Sequence, residues 1–299
     1  MGPLLLAAAL LGCGGCRQEH SKAVEVAGNY VCVQSNLDNV ECFLYEGLEV
    51  TPAKEPIFDA YAQLAGGRWF FCGLTQSGEI DCWGSTTYNK TEPIPVGPFA
   101  QLRVGMSEGC GIRADRSATC WGTLAERVND FDPGTQWHSF AMGDSQVCAI
   151  ADGPGPVVCW GRDWHNAGSL SPPDGQWDEV WGGGDFMAAR AVDGTFAMWG
   201  NNQDGQLNHP PNPEFTDIAL AFDHSCVLSP QGEAICWGSN DWGQLDPPAG
   251  ETFVDIDARG RFTCGLTPDH RLLCWGCYSD KLYDPGHEWC QTPTPSWDR

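Results

Sequence analysis

The residues of this chain best suited to chemistry are its cysteines, 16 in 299 residues. Thiols at that density ligate metal, exchange electrons or close disulfides. Two Cys-x-x-Cys pairs, Cys13 with Cys16 and Cys274 with Cys277, have the spacing of a zinc or thioredoxin-type site. Each has a competing use. Cys13 ends an apolar leader, and Cys274 has a partner ten residues earlier in Cys264. The seven histidines, His20, His138, His165, His209, His224, His270 and His287, include no helix-spaced pair. His224-Ser225 has the residue types of a hydrolase pair, but a triad needs partners brought together in space. No Gly-x-Ser-x-Gly elbow occurs. Loops such as Asn201-Asn202-Gln203-Asp204-Gly205 lack the bidentate Glu that closes a calcium loop. The reading is no catalytic residue, no metal and no cofactor. Carboxylates brought together from several parts of the chain on a central channel would instead favour a hydrolase or lyase.

The cysteines are better explained by what must position them. Aligned on the first Cys of each unit, the chain repeats at Cys32, Cys72, Cys110, Cys148, Ala188, Cys226 and Cys264, in steps of 38 or 40 residues. A second Cys follows ten residues later at Cys42, Cys82, Cys120, Cys236 and Cys274, and eleven later at Cys159. Trp-Gly comes next in six units, as in Trp83-Gly84 and Trp237-Gly238, while unit one has Phe43. Eleven residues before the first Cys stand aromatics (Tyr61, Phe99, Trp137, Trp177, Phe215, Phe253), and eight before it an apolar residue, Val24 to Ile256.

One unit yields the geometry. A three-residue hairpin loop places Gly last, in the left-handed conformation. Gln76-Ser77-Gly78 fits, which sets Thr75 opposite Glu79 and Cys72 opposite Cys82. Directly paired antiparallel residues are within disulfide reach. The expected bonds are Cys32–Cys42, Cys72–Cys82, Cys110–Cys120, Cys148–Cys159, Cys226–Cys236, Cys264–Cys274 and, in the tail, Cys277–Cys290. Unit five has lost both partners together, to Ala188 and Met198, as a bonded pair would be lost. Cys16 is left over.

Successive strand residues face opposite sides. Adjacent Cys82 and Trp83 therefore bury both faces of their strand, as in blades stacked around an axis. The expected fold is all-β, a single seven-bladed β-propeller of four-stranded antiparallel blades over residues 21–299, stapled by intra-blade hairpin disulfides. Unit one is the weak point, with Gln34 where most units carry Leu or Ile. A tail strand within 277–299 is expected to complete it.

Phe215-Thr216-Asp217-Ile218, His224-Ser225-Cys226-Val227-Leu228, Gly232 and Cys236-Trp237-Gly238-Ser239-Asn240-Asp241-Trp242-Gly243-Gln244-Leu245 together resemble the RCC1 repeat (regulator of chromosome condensation). Trp199-Gly200-Asn201-Asn202 through Gly205-Gln206-Leu207 matches the same stretch. The resemblance covers roughly residues 21 to 290 and implies a seven-bladed propeller. The Cys-rich form is similar to the version in exported bacterial proteins. Founding members are nucleotide-exchange factors for a small GTPase, an activity a disulfide-stapled exported chain has no means to exercise. Some secreted bacterial relatives inhibit β-lactamases through one propeller face, so an enzyme inhibitor is the alternative the resemblance implies.

Charge and leader narrow the setting. With 16 basic and 39 acidic residues the net charge is −23. Phosphate recognition needs clustered Lys and Arg, so nucleic acid is not an expected partner. Leu4 to Leu11 is too short to span a bilayer and reads as a signal-peptide core. Leu10-Leu11-Gly12-Cys13 resembles a lipobox, giving residues 1–12 as signal, Cys13 as lipidation site and 13–20 as tether. The expected protein is a monomeric, exported or surface-anchored, non-catalytic module recognising a protein or glycan. Trp164, Trp181, Trp242 and Trp289, aromatics outside the repeat register, are the candidate binding residues.

Overall fold

Cys72 and Cys82 face each other across an antiparallel hairpin and are bonded. Cys32–Cys42, Cys110–Cys120, Cys148–Cys159, Cys226–Cys236 and Cys264–Cys274 do the same in their own hairpins. In unit five, Ala188 lies directly opposite Met198. The expected pairing and register thus hold for six bonds and for the vacated seventh position. The loop geometry holds too: the Thr75 N–H donates to the Glu79 carbonyl at 2.8 Å, and Gly78 has φ +84°. The fourth hairpin absorbs its extra residue in a loop with Asp152 and Gly153 at positive φ. This computed structural model describes residues 24–27, 30–34, 40–45, 50–52, 61–68, 70–84, 94–122, 135–211 and 213–276. Cys13, Cys16, Cys277, Cys290 and Trp289 lie outside them, as do the signal segment and the tether.

Seven antiparallel sheets follow one another along the chain. Blade one contains Val24–Ala27, Tyr30–Gln34, Val40–Tyr45 and Val50–Pro52. Blade two contains Gln63–Gly66, Phe70–Leu74 and Ile80–Gly84, and blade three Gln101–Val104, Glu108–Ile112 and Ala118–Gly122. Blade four contains Trp137–Met142, Gln146–Ala151 and Val157–Gly161, and blade five Glu179–Gly182, Phe186–Arg190 and Phe196–Gly200. Blade six contains Asp217–Leu220, His224–Leu228 and Ala234–Gly238, and blade seven Asp255–Arg259, Phe262–Leu266 and Leu272–Gly276.

Four strands per blade were expected, and among the described residues only blade one has them. The other six sheets have three. After blades five and six the chain continues through irregular segments containing Pro210, Pro211 and Pro213, and Pro247 and Pro248. Proline has no N–H to give a sheet ladder, so these segments cannot continue as regular strands. The four strands of blade one all come from residues 24–52. The expected closing strand from 277–299 lies outside the described residues.

Apolar packing explains why the sheets stack. Seven buried clusters form, and each straddles one pair of adjacent blades. Val24, Val26, Val31 and Val33 of blade one meet Phe262, Leu266 and Leu272 of blade seven, so the ring closes. Each blade buries both faces, the geometry inferred from the adjacent Cys and Trp.

The Trp and Gly of the Cys-Trp-Gly step have separate duties. The indole N–H groups of Trp199, Trp237 and Trp275 donate to the carbonyls of Ser169, Gln206 and Gln244, in the preceding inter-blade loops. Gly238 turns the chain away from the sheet at φ +112°, and a Cβ there would sit 2.6 Å from the Asp223 carbonyl oxygen. Only glycine satisfies both conditions.

A polar ring joins the first strands. The Gln63 side-chain oxygen accepts the Leu102 N–H, Ser139 Oγ accepts that of Val180, and Asp217 accepts that of Ile256. In register terms, the residue nine before the first Cys accepts the N–H eight before the next one. Glu25 takes the Gly66 N–H in a parallel way.

Candidate functional site

The first strands of all seven blades surround a central cavity of about 780 Å3. Alternate side chains of each inner strand pack against the blades on either side, so it is the strand edges, with consecutive residues such as Gln63 to Gly66 and Glu179 to Gly182, that line it. The lining carries three guanidiniums, Arg103, Arg190 and Arg259, and five carboxylates, Glu25, Glu179, Asp217, Asp255 and Asp257. The carboxylates come from several blades, as a channel hydrolase would need, but each is engaged in the scaffold, Glu179 by Arg190 and the other four by a backbone N–H of the next blade. A concave chamber with a few convergent polar groups is the usual form of a ligand site.

The wall contributed by blade five breaks the repeat. Two residues after the first Cys position, Leu74, Ile112, Ile150, Leu228 and Leu266 are buried between blades. Blade five has Arg190 there. Arg190 Nε and Nη2 both donate to Glu179 Oε2, and Nη1 donates to the Phe215 carbonyl of blade six at 3.3 Å. Its guanidinium lies 4.4 Å from the Phe215 ring centroid and 5.3 Å from that of Trp181. Trp181 occupies a register position held by Glu25, Ala65, Arg103, Ala141, Ala219 and Asp257 elsewhere, and it packs edge-on against Phe215. The same blade lacks the disulfide. The result is an aromatic wall with a fixed ion pair facing the chamber.

A second charged group sits where the inner strands end. Arg259, the last inner-strand residue of blade seven, donates from Nη2 to Asp144 Oδ1 of blade four at 3.3 Å, and from Nη1 to the Gly66 carbonyl of blade two at 3.5 Å. Burial holds the Asp144 carboxyl above the usual range, opposed by Arg259 and Arg68. Glu108 of blade three is raised to about 7, first by burial and then by nearby Asp144, against hydrogen bonds from Ser107. Glu108 Oε2 accepts from Ser107 Oγ at 2.9 Å, while its buried Oε1 has no hydrogen-bond partner.

The three predicted tryptophans among the described residues, Trp164, Trp181 and Trp242, are not brought together, and of these Trp181 lines the chamber. Trp164 lies in a 3-10 turn after blade four, with Arg162 stacked 3.4 Å over its ring. Trp242 lies in the loop after blade six, with Arg261 at 4.8 Å. His224 and Ser225 point away from each other. His224 reaches Thr263 Oγ1 of blade seven at 2.8 Å, and Ser225 Oγ donates to the Gln206 carbonyl in the loop after blade five. Both are fully buried and act as inter-blade clasps. Among the described residues no group of three or more His, Cys, Asp or Glu is placed to hold a metal. Sequence reasoning missed Arg190, although an Arg in a Leu or Ile register was visible. It also missed Arg259 and Asp144, whose meeting no local signal announces.

Comparison with known proteins agrees with this architecture. The model of the regulator of chromosome condensation (RCC1) repeat matches residues 61–89 and 215–244. No curated protein sequence matches the chain significantly. Among solved structures, the ectodomain of the Physcomitrella patens receptor kinase CR4 is similar, with 25% identity, TM-score 0.69, and coverage of 86% of this chain and 73% of that one. The CRINKLY WD40 ectodomain of the Arabidopsis thaliana receptor kinase ACR4 has 24% identity, TM-score 0.68, and coverage of 86% and 94%. Yeast RCC1 (Prp20), solved bound to Kap60, has 15% identity, TM-score 0.65, and coverage of 92% and 86%. The fold is an RCC1-type β-propeller.

Proposed function

We propose that the protein is a non-catalytic interaction module, an exported disc that recognises a protein ligand through one face and its central chamber. The observation that carries this reading is the blade-five wall. The repeat departs from its own register at Trp181, Ala188, Arg190 and Met198, and two of these, Trp181 and Arg190, line the chamber. A scaffold position that abandons a core Leu or Ile for a paired Arg gives up apolar burial, which points to a use other than stability. Export is supported by the six hairpin disulfides, since such bonds persist in oxidising compartments. The similarity to two receptor-kinase ectodomains supports the same setting, and the yeast neighbour was solved bound to a protein. Lipidation at Cys13 belongs to this reading as the anchor.

The test is capture of ligands from the envelope and extracellular fractions by the wild type and by W181A/R190A. A ligand retained by the wild type and lost by the variant, at unchanged disulfide content, supports the wall as the binding surface. Equal capture by both overturns it. Turnover of a substrate by the purified chain would overturn the non-catalytic reading in favour of a channel hydrolase or lyase.

A further inference from the structure

The chamber has two unlike ends. In a ring of seven, blade four is as far from blade seven as any blade is. Arg259 leaves blade seven and ends 3.3 Å from Asp144 on blade four. It also contacts the Gly66 carbonyl of blade two. A side chain that touches blades on both sides of the ring must cross the axis. The lining agrees with a closed end there. It includes the last residues of inner strands, such as Gly66, Val104 and Met142, but none of the turn residues that follow them. At the other end it runs past the strands to Phe215, Thr216 and Val254, and Thr216 and Val254 are exposed.

We propose that Arg259 is an axial bolt that closes the chamber at the turn face, so that a partner gains access only through the strand-start face, inserting a cationic side chain. The proposal rests on the chamber being the binding surface. The cationic guest follows from charge complementarity, with five carboxylates to three guanidiniums in the lining and −23 on the whole chain. One of those guanidiniums, Arg190, is already paired with Glu179 at the same wall. Asp144 holds the bolt. Its burial makes solvent a poor competitor for the guanidinium.

Single engineered thiols report the access route without knowledge of the ligand. T216C places a thiol at the proposed mouth, and L220C, at the half-buried last inner-strand residue of blade six, places one in the chamber lining near the bolted end. Each is treated with a cationic trimethylammonium-ethyl or an anionic sulfonato-ethyl methanethiosulfonate, and the modified peptide is quantified against the chain without the added thiol. T216C is expected to react several-fold faster with the cationic reagent, whether or not Arg259 is present. L220C is expected to react slowly in the wild-type background and at least about tenfold faster with both reagents in R259A. Equal L220C rates in the two backgrounds overturn the bolt. So does acceleration of the cationic reagent alone, which would mean that Arg259 only repels. A T216C rate that favours the anionic reagent overturns the cationic guest. D144A, which removes the bolt's other partner, gives the same readout if R259A fails to fold. Equal ligand capture by the wild type and W181A/R190A, with the thiol kinetics as expected, would fail the binding reading and leave the bolt standing.

Discussion

Asp255 of blade seven accepts the backbone N–H of Val24 of blade one at 2.9 Å, across 231 residues of sequence. Two residues along, Asp257 accepts the Val26 N–H at 2.7 Å. These carboxylates repeat, at the seam between the two ends of the repeat array, the linkage that Asp217 makes to Ile256 within the array. The ring is thus closed by the same contact that builds it.

Loss of this seam should be costly. D255A leaves the Val24 N–H unsatisfied in a buried position and removes a charge-assisted bond, for about 1–3 kcal/mol. Thermal unfolding with the disulfides intact should show a lower Tm for D255A, and a further loss in D255A/D257A. An unchanged Tm in the double variant would mean that apolar packing alone closes the ring.

The vacated bond of blade five can be restored. Ala188 and Met198 hold the register positions that six other hairpins fill with bonded cysteines. A188C/M198C should lose the mass of two hydrogens on oxidation and gain about 2–3 kcal/mol against denaturant. Two thiols that stay reactive to iodoacetamide would refute the equivalence of the blades.

Glu108 predicts a pH dependence. Its register equivalent in blade four, Gln146, donates from Nε2 to the Gly184 carbonyl of blade five at 2.7 Å. A carboxylate cannot donate, and Glu108 Oε1 is left without a partner. Its folded value near 7 stands above the ordinary 4.5. Below 4.5 the group is protonated folded and unfolded, and its contribution is fully present. That contribution is lost as pH rises through 7, because the folded chain must then bury a charge. E108Q should therefore be more stable than wild type at pH 8, by up to about 3 kcal/mol, and nearly equal to it at pH 4. Denaturant titrations at the two pH values decide it; an equal gap at both would remove the ionisation argument.

Gly238 should tolerate no side chain. G238A forces a Cβ to 2.6 Å from the Asp223 carbonyl oxygen at φ +112°. A loss of about 2–3 kcal/mol is expected. G194A is the control, since its Cβ meets nothing within 4 Å at a similar positive φ, φ +87°. Equal losses in the two would assign the cost to backbone conformation alone.

Much of this protein is legible along the chain because its contacts are local. The Thr75–Glu79 turn sets Cys72 opposite Cys82 within eleven residues, and that register repeats with the sequence. Trp and Cys in succession announce a sheet buried on both faces. The strand count was less legible. The segments after blades five and six contain prolines, whose effect on a fourth strand was discernible, but the repeat length alone suggested room for one.

The candidate site divides the same way. Arg190 was open to detection and was missed, since a Leu or Ile position compares directly from blade to blade. Trp164 and Trp242 were chosen for lying outside the register, and each has an arginine over its ring, Arg162 of the same loop for Trp164 and Arg261 of the first turn of blade seven for Trp242. By itself the sequence determined the hairpins, their bonds and the number of blades, because each depends on residues a few positions apart. Only the tertiary structure decided that seven inner strands enclose a chamber, that Trp181 lines it, and that Arg259 reaches Asp144 across the axis. Those contacts join residues tens to more than a hundred positions apart, and the curvature of the whole ring sets them.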